Sequence, residues 1–326
     1  MEGGEKSRLI SQLLADKNIS QYLSHEIAAP GVRISSPQPI QIAKTPLLLE
    51  ALKDLAQNGY SPTSLTNFVR NPIDFYKRSI LKINDLDEVE ESIAANTFGT
   101  IVHDSLEQLY SPMLGRFLTE DDLAQFLPII PNIVEQQFHK LLPGVTLKKG
   151  KFLLVYNVIV KYLKNFIELE KTALQKHQIK ILALEQKLQT RINVPGLDFP
   201  IVLKGTLDRV DEIDGIVRIV DYKTGKVEPK NVKVNDWDDL ITDYEKSKAF
   251  QLLCYAYLYH KNTDSHSMRA GIYSFKNLKQ GFLSFKTNDQ LITQDVLNTF
   301  QGYLQQLILE IHDPGSPFLE KEVSLL

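Results

Sequence analysis

Two hydrophobic periods divide the chain. From Leu47 to about Gln175, apolar residues recur every three or four positions, which is the spacing of helices. From Ile179 the period shortens to two, the spacing of strands, with a single helical return before Ala270. The first half predicts helices over Leu47–Gln57, from Ser61-Pro62 onward, over Ile73–Ile83, from Asn96 or Thr97 to Tyr110, over Thr119–Leu142 and over Lys151–Gln175. Ser61 or Thr63 can cap the second of these, with proline in its first turn, and Asn71-Pro72 ends it. Lys151–Gln175 carries Phe152, Leu153, Val155, Tyr156, Ile159, Val160, Leu163, Phe166 and Ile167 on most of its circumference, so it reads as a buried helix. Phe75 and Tyr76 read as core. A short helix over Glu5–Asp16 and a proline-bearing extended stretch over Ile27–Pro46 precede them.

In the second half, Ile179–Val194 predicts a strand, ended by a turn at Pro195-Gly196. Ala270–Phe275 with Gly281–Lys286 predicts a hairpin. Lys226–Tyr244 reads as a polar loop holding Trp237. Lys246–His260 and Asp289–Ile311 predict helices. This order gives an α/β (α+β) core behind a helical N-terminal part.

The densest signal is Lys204–Lys226. Apolar residues alternate on both sides of Asp214-Gly215, a strong two-residue turn. If Ile213 pairs with Ile216, Asp208 falls opposite Asp221 and Thr206 opposite Lys223, all on one face. Two carboxylates about 5 Å apart at Cβ repel. A shared proton, a divalent cation held by hard oxygen ligands, or simple solvation with a local Asp–Lys pair would each relieve that.

Composition narrows the classes. The chain has 326 residues, 43% hydrophobic and 24% charged, with net charge −3. That fits one large or two smaller domains and excludes a polycation, so any nucleic-acid surface is a local patch. The single cysteine, Cys254, sits among apolar residues and reads as structural; one thiol builds neither a disulfide nor a cysteine-ligated cluster. No signal-peptide pattern or apolar run of membrane length is present, and the default expectation is a cytoplasmic protein with no membrane partner. Walker A and Gly-x-Ser-x-Gly patterns are absent.

Other chemistry-bearing residues are scattered. His103 and Glu107 share a helix face, with Gly99 one turn earlier to admit a close backbone. Gln251 and Tyr255 share another face. Glu185 interrupts an apolar strand. The ordered set Gly99-x-x-x-His103, Gly205-Thr-Leu-Asp208-Arg209, Asp221-Tyr-Lys223-Thr-Gly and Gln251-x-x-x-Tyr255 closely resembles PD-(D/E)XK nucleases of the RecB/AddB branch, over about Ser61 to Phe285. The resemblance implies a restriction-endonuclease-like mixed sheet flanked by helices and Mg²⁺- or Mn²⁺-dependent phosphodiester cleavage. It implies that His103, Asp208 and Asp221 hold the metal, that the Tyr222 carbonyl adds a ligand, and that Lys223 orients or activates water and stabilises phosphate charge. Gln251 and Tyr255 would line the site, and Glu185 stands where such enzymes often carry an acid. Relatives with an iron–sulfur cluster have a cysteine where this chain has Asn71, so no cluster is expected and packing must join the helical part to the core. Glu5-Lys-Ser-Arg-Leu-Ile resembles the tail of a superfamily I helicase-like region. The expected organisation is therefore a helical or linker segment over 1–60 and a nuclease domain over 61–326. The partners implied are single-stranded DNA and a helicase in cis or as a subunit, in double-strand-break repair. A non-catalytic DNA-binding or scaffolding module, or a stand-alone repair exonuclease, are the alternatives.

Overall fold

The computed structural model describes residues 7–23, 39–83, 95–265 and 267–321. The expected extended stretch before Pro39 and the segment from Glu88 to the start of the next helix lie outside the described residues. Residues 1–38 and 39–326 are separate units. In the first, helix α1 (Arg8–Ala15) is followed by a 3₁₀ turn at Ser20–Tyr22, and none of α1 is buried.

The second unit begins with strand β1 (Gln41–Ile42) and helices α2 (Pro46–Asn58), α3 (Pro62–Arg70) and α4 (Pro72–Phe75), which runs on into a π-helical turn at Tyr76–Ile80. Ser61, not Thr63, caps α3: its hydroxyl accepts from Ser64 N–H, and Ser64 returns the bond. Asn71 caps α4 through Ile73 N–H. Helices α5 (Ala95–Tyr110), α6 (Glu120–Leu141) and α7 (Gly150–Leu174) follow, then strands β2 (Ile179–Ile192), β3 (Ile201–Ile213) and β4 (Ile216–Lys223). The segment expected to be a loop after Lys226 contains two single-turn helices, α8 (Pro229–Val232) and α9 (Asp239–Thr242), and Trp237 stacks on Tyr303. Helix α10 (Ser247–Asn262), strands β5 (Ser267–Ser274), β6 (Phe282–Ser284) and β7 (Ile292–Thr293), helix α11 (Gln294–His312) and strand β8 (Phe318–Leu319) complete the chain.

The main sheet has the order β2-β3-β4-β5-β6, with β7 pairing the start of β5. Only β4 and β5 are parallel, joined by the crossover that contains α10. It is a mixed sheet with helices on both faces, in line with the fold class the hydrophobic periods predict. On one face α5, α6 and α7 bury Ile101, Leu106, Phe138, Leu163 and Phe166 against Val220, Tyr222 and Tyr273. On the other, α2, α3, α10 and α11 cover Leu203, Val210 and Ile219. β1 and β8 pair separately.

Helix α7 departs from expectation. It buries Ile159, Leu163, Phe166, Ile167 and Glu170, while Leu154 is 67% exposed. It is amphipathic, because the sheet, α5 and α6 cover one side of it. Phe166 is its anchor, with ring centroids 5.5 Å from Tyr222 and 5.0 Å from Tyr273; truncating such a ring to alanine costs about 3–5 kcal/mol.

Candidate active site

Asp214 and Gly215 adopt φ of +50° and +83°, the backbone of a type I′ hairpin turn, and Ile213 pairs with Ile216 as the sequence predicts. The β3–β4 ladder runs from there to Arg209 opposite Val220 and stops. Asp208 and Asp221 stand at the next level, where the strands part: β4 continues along β5 through Lys223. The Asp208 carboxylate takes over one ladder bond, accepting Tyr222 N–H at 2.7 Å. This parting corrects one expectation. Thr206 lies opposite Lys187 of β2, not opposite Lys223. On the β2 side, Leu184 pairs with Arg209 and Gln186 with Leu207, which brings Glu185 level with Asp208. Glu185 has φ +42°, a left-handed backbone in mid-strand that a residue with a side chain rarely adopts. Three carboxylates therefore stand on three neighbouring strands at one level.

His103 reaches them from α5. Its Nε2 lies 3.0 Å from the Tyr222 carbonyl, which can only accept, so Nε2 carries hydrogen and donates. Nδ1 then faces Asp208 at 3.4 Å and Glu185 at 3.8 Å. One donor atom each from His103, Glu185 and Asp208 lies within 4.8 Å of the others. Burial opposes charge on His103, but hydrogen bonds with Asp208 and Glu185 and the fields of Asp208 and Asp221 hold its pKa up to about 10.

Asp221 is 1% exposed, and its Oδ1 accepts from Lys223 Nζ at 2.8 Å. Its Oδ2 is buried without a hydrogen-bond partner among the described residues. Burial pushes this carboxyl up; Lys223 draws it back and Asp208 raises it further, leaving it above the ordinary range. Burial likewise opposes charge on Lys223, but Asp221 and Asp208 outweigh it and the ammonium stays protonated. The Asp221 oxygen with no donor, beside the Glu185 and Asp208 carboxylates and an imidazole nitrogen, fits a hard divalent cation, although the set whose atoms lie within 4.8 Å of one another is His103, Glu185 and Asp208 without Asp221.

Gln251 Nε2 donates to the Tyr255 hydroxyl at 2.7 Å. Burial, Asp221 and Asp208 raise the Tyr255 phenol, so it keeps its proton. Gly205 permits this placement: a Cβ there would meet Leu258 at 3.0 Å and the Tyr255 ring at 3.1 Å. Gly99 is different, since among the described residues a Cβ would find only Thr224 Oγ1 at 3.8 Å, and no backbone crowds it. Glu107 stays near the rim, its carboxyl raised by desolvation, Glu185 and Asp104. Cys254 is buried in α10. Lys248 is a residue the sequence argument missed. It is depressed by burial and by Lys223, so its ammonium shares the site's field; its place one turn before Gln251 is the signal that could have found it.

Beneath the site lies a second charged cluster. Arg209, fully buried, pairs with Glu170 of α7 and with Asp211, both at 2.7 Å. Arg218 grips Asp211 with two bonds of 2.8 Å. The Tyr110 hydroxyl of α5 donates to Glu170, and the Arg209 guanidinium lies 4.7 Å from the Tyr110 ring. Helices α5 and α7 are thus tied to β3, one residue from Asp208.

A family model described as the PD-(D/E)XK nuclease superfamily matches residues 60–322. The chain belongs to that superfamily. Membership accords with the mixed sheet flanked by helices. Among curated proteins, an uncharacterized protein of Rickettsia felis is 26% identical over 181 residues, 52% of this chain and 19% of the relative. One of Rickettsia bellii is 28% identical over 176 residues, 53% and 19%. One of Rickettsia conorii is 24% identical over 215 residues, 60% and 23%. The chain thus spans about a fifth of the length of the curated relatives it matches. Among the described residues, no helix of this superfamily member is long and apolar enough to cross a membrane.

Proposed function

We propose that this chain is a Mg²⁺- or Mn²⁺-dependent deoxyribonuclease of the RecB/AddB type, acting on DNA ends. The observation that carries this is the set of three level carboxylates, Glu185, Asp208 and Asp221, met by His103 and Lys223 where β3 and β4 part. The metal would be held by His103 Nδ1, in place of the proton the carboxylates hold there, and by Glu185, Asp208 and Asp221 Oδ2, with the Tyr222 carbonyl at hand, and would supply Lewis-acid activation of water and phosphate. Tyr222 fixes the imidazole by accepting from Nε2, which keeps Nδ1 turned to the carboxylates. Lys223, whose ammonium bonds Asp221 Oδ1, would place a fixed cation beside the phosphoryl oxygens and orient or activate water. Water attacks phosphorus and one ester oxygen leaves as the alcohol. Tyr255, oriented by Gln251, offers a hydroxyl to substrate.

The expected association with a helicase, as a tail over residues 1–60 before a nuclease domain over 61–326, is supported by the short Glu5–Ile10 resemblance and by the far greater length of the relatives. A role in break repair, and with it a cytoplasmic place of action, would follow from that association.

End-labelled single-stranded and duplex DNA, incubated with Mg²⁺, Mn²⁺ or EDTA, tests the proposal. Metal-dependent cleavage that Lys223→Ala and Asp208→Ala each reduce by about 10²–10³-fold is the expected result. Cleavage surviving both substitutions would overturn the assignment of the site.

A further inference from the structure

The cleft beside the carboxylates continues along the β2–β3 ladder, with a volume of about 710 Å³ between Asp208 and Tyr255 at one end and the start of α3 at the other. In that ladder Lys187 pairs with Thr206 and Gln189 with Lys204. Lys204, Thr206 and Asp208 alternate on β3, so they share a face, each step about 6.7 Å. The result is a lane. Glu185 and Asp208 form its first level, Lys187 and Thr206 the second, Gln189 and Lys204 the third. Lys187 and Lys204 are exposed, and among the described residues neither is ion-paired with a carboxylate. Lys204 spends one N–H on the Asn58 carbonyl at 2.9 Å, leaving two for a ligand.

The electrostatics call for such a lane. A polyanionic substrate approaching three carboxylates is repelled, and cations just beyond them offset that cost. Amide and hydroxyl groups alternate with the lysines, which suits a repeating anion with hydrogen-bonding oxygens between its charges. The cleft is lined by the start of α3, the β2–β3 ladder and Tyr255 of α10, and its cations follow one row, which suits a single strand.

Building on the nuclease proposal above, we propose that one strand of nucleic acid lies along this lane, its phosphodiesters over Lys187 and Lys204, with the scissile bond at the Asp208 end. The lysines position substrate and take no part in the chemistry.

The test uses the whole chain. Binding of fluorescent oligo(dT) is followed by anisotropy in EDTA across a salt series, and single-turnover cleavage is run with Mn²⁺. Lys187→Ala/Lys204→Ala should weaken binding at least about tenfold and flatten the salt slope by about 1.4, from 0.7 for each phosphate contact. It should raise KM with kcat held within about twofold, the mark of a contact made equally in ground and transition states. Lys187→Glu tests the lane without the Lys204 packing contact. Lys161→Glu, on α7 behind the sheet, should change neither quantity. If Lys187→Glu binds with wild-type affinity and slope while wild type cleaves through Asp208, the lane is wrong and the nuclease stands. If wild type neither binds oligo(dT) nor cuts DNA, the lane and the nuclease fall together.

Discussion

Adjacent residues of β3 carry their charges into two different buried settings. On the α5–α7 face, Arg209 and Arg218 meet Glu170 and Asp211, two cations against two anions, each within 2.8 Å of an opposite charge. On the opposite side, Asp208 joins Glu185 and Asp221, three anions against Lys223 and a histidine. Burial is similar, at 0% exposure for Arg209 and 9% for Asp208. What differs is the arrangement of charge. The first cluster pairs each cation with an anion and holds helices to the sheet, although among the described residues Glu170 Oε1 and Arg209 Nε and Nη2 lack a well-directed hydrogen bond. The second gathers three carboxylates at one level, an arrangement that would favour a bound cation. Buried charge is therefore no sign of function by itself; like charges gathered at one level are the better pointer.

The largest effect should come from breaking the balanced cluster. Arg209→Met strands Glu170 and part of Asp211, and should lower unfolding free energy by about 3–5 kcal/mol in urea titration. Adding Glu170→Leu should return part of that loss; a double variant no better than the single one would mean that the cluster acts through packing alone. Next is the unbalanced cluster. Asp208→Asn keeps an acceptor for Tyr222 N–H, so it should cut cleavage by about 10²–10³-fold. Metal-free stability should hold or rise by up to about 1 kcal/mol as repulsion is relieved.

A neutral buried pair sharpens the contrast. The Tyr60 hydroxyl bonds His312 Nε2 at 3.0 Å, and burial, aided by Lys44, depresses His312 to about 4. The unfolded chain binds this proton near pH 6.5 and the folded chain does not. Stability is thus complete above that pH and should fall by up to about 3 kcal/mol as pH drops to 4. His312→Phe should flatten this acid limb. Asp211, buried but held low by Arg218 and Arg209, should give way only at lower pH. The smallest effect is expected from Gly205→Ala, which presses on Tyr255 and Leu258 and should cost about 1–3 kcal/mol, with cleavage falling as Tyr255 shifts.

The sequence carries the hairpin almost completely. Asp214-Gly215 sets the turn, the turn sets the register, and the register puts Asp208 and Asp221 at one level. It does not show where pairing ends, because the parting of β3 from β4 depends on the parallel partner β5, supplied from some fifty residues further on. That is why Thr206 pairs with Lys187 and does not stand beside Lys223. The left-handed backbone of Glu185 is likewise a tertiary outcome with no local turn residue to announce it. The apolar surplus of α7 suggests full burial, yet among the described residues its outer side has no covering element; the lone Glu170 within that apolar stripe is the hint of the buried ion cluster that the period alone passes over.

The bond from His103 to the Tyr222 carbonyl joins residues 119 apart in sequence. Contacts of that span, together with a parallel strand pair closed by a long crossover, form late and slowly in folding. A chain emerging from the ribosome has α5 long before it has β4, and β4 before the β5 that fixes its end. The proposed site therefore completes itself only when synthesis of the sheet is done, so an incomplete chain should lack the activity proposed for the finished one.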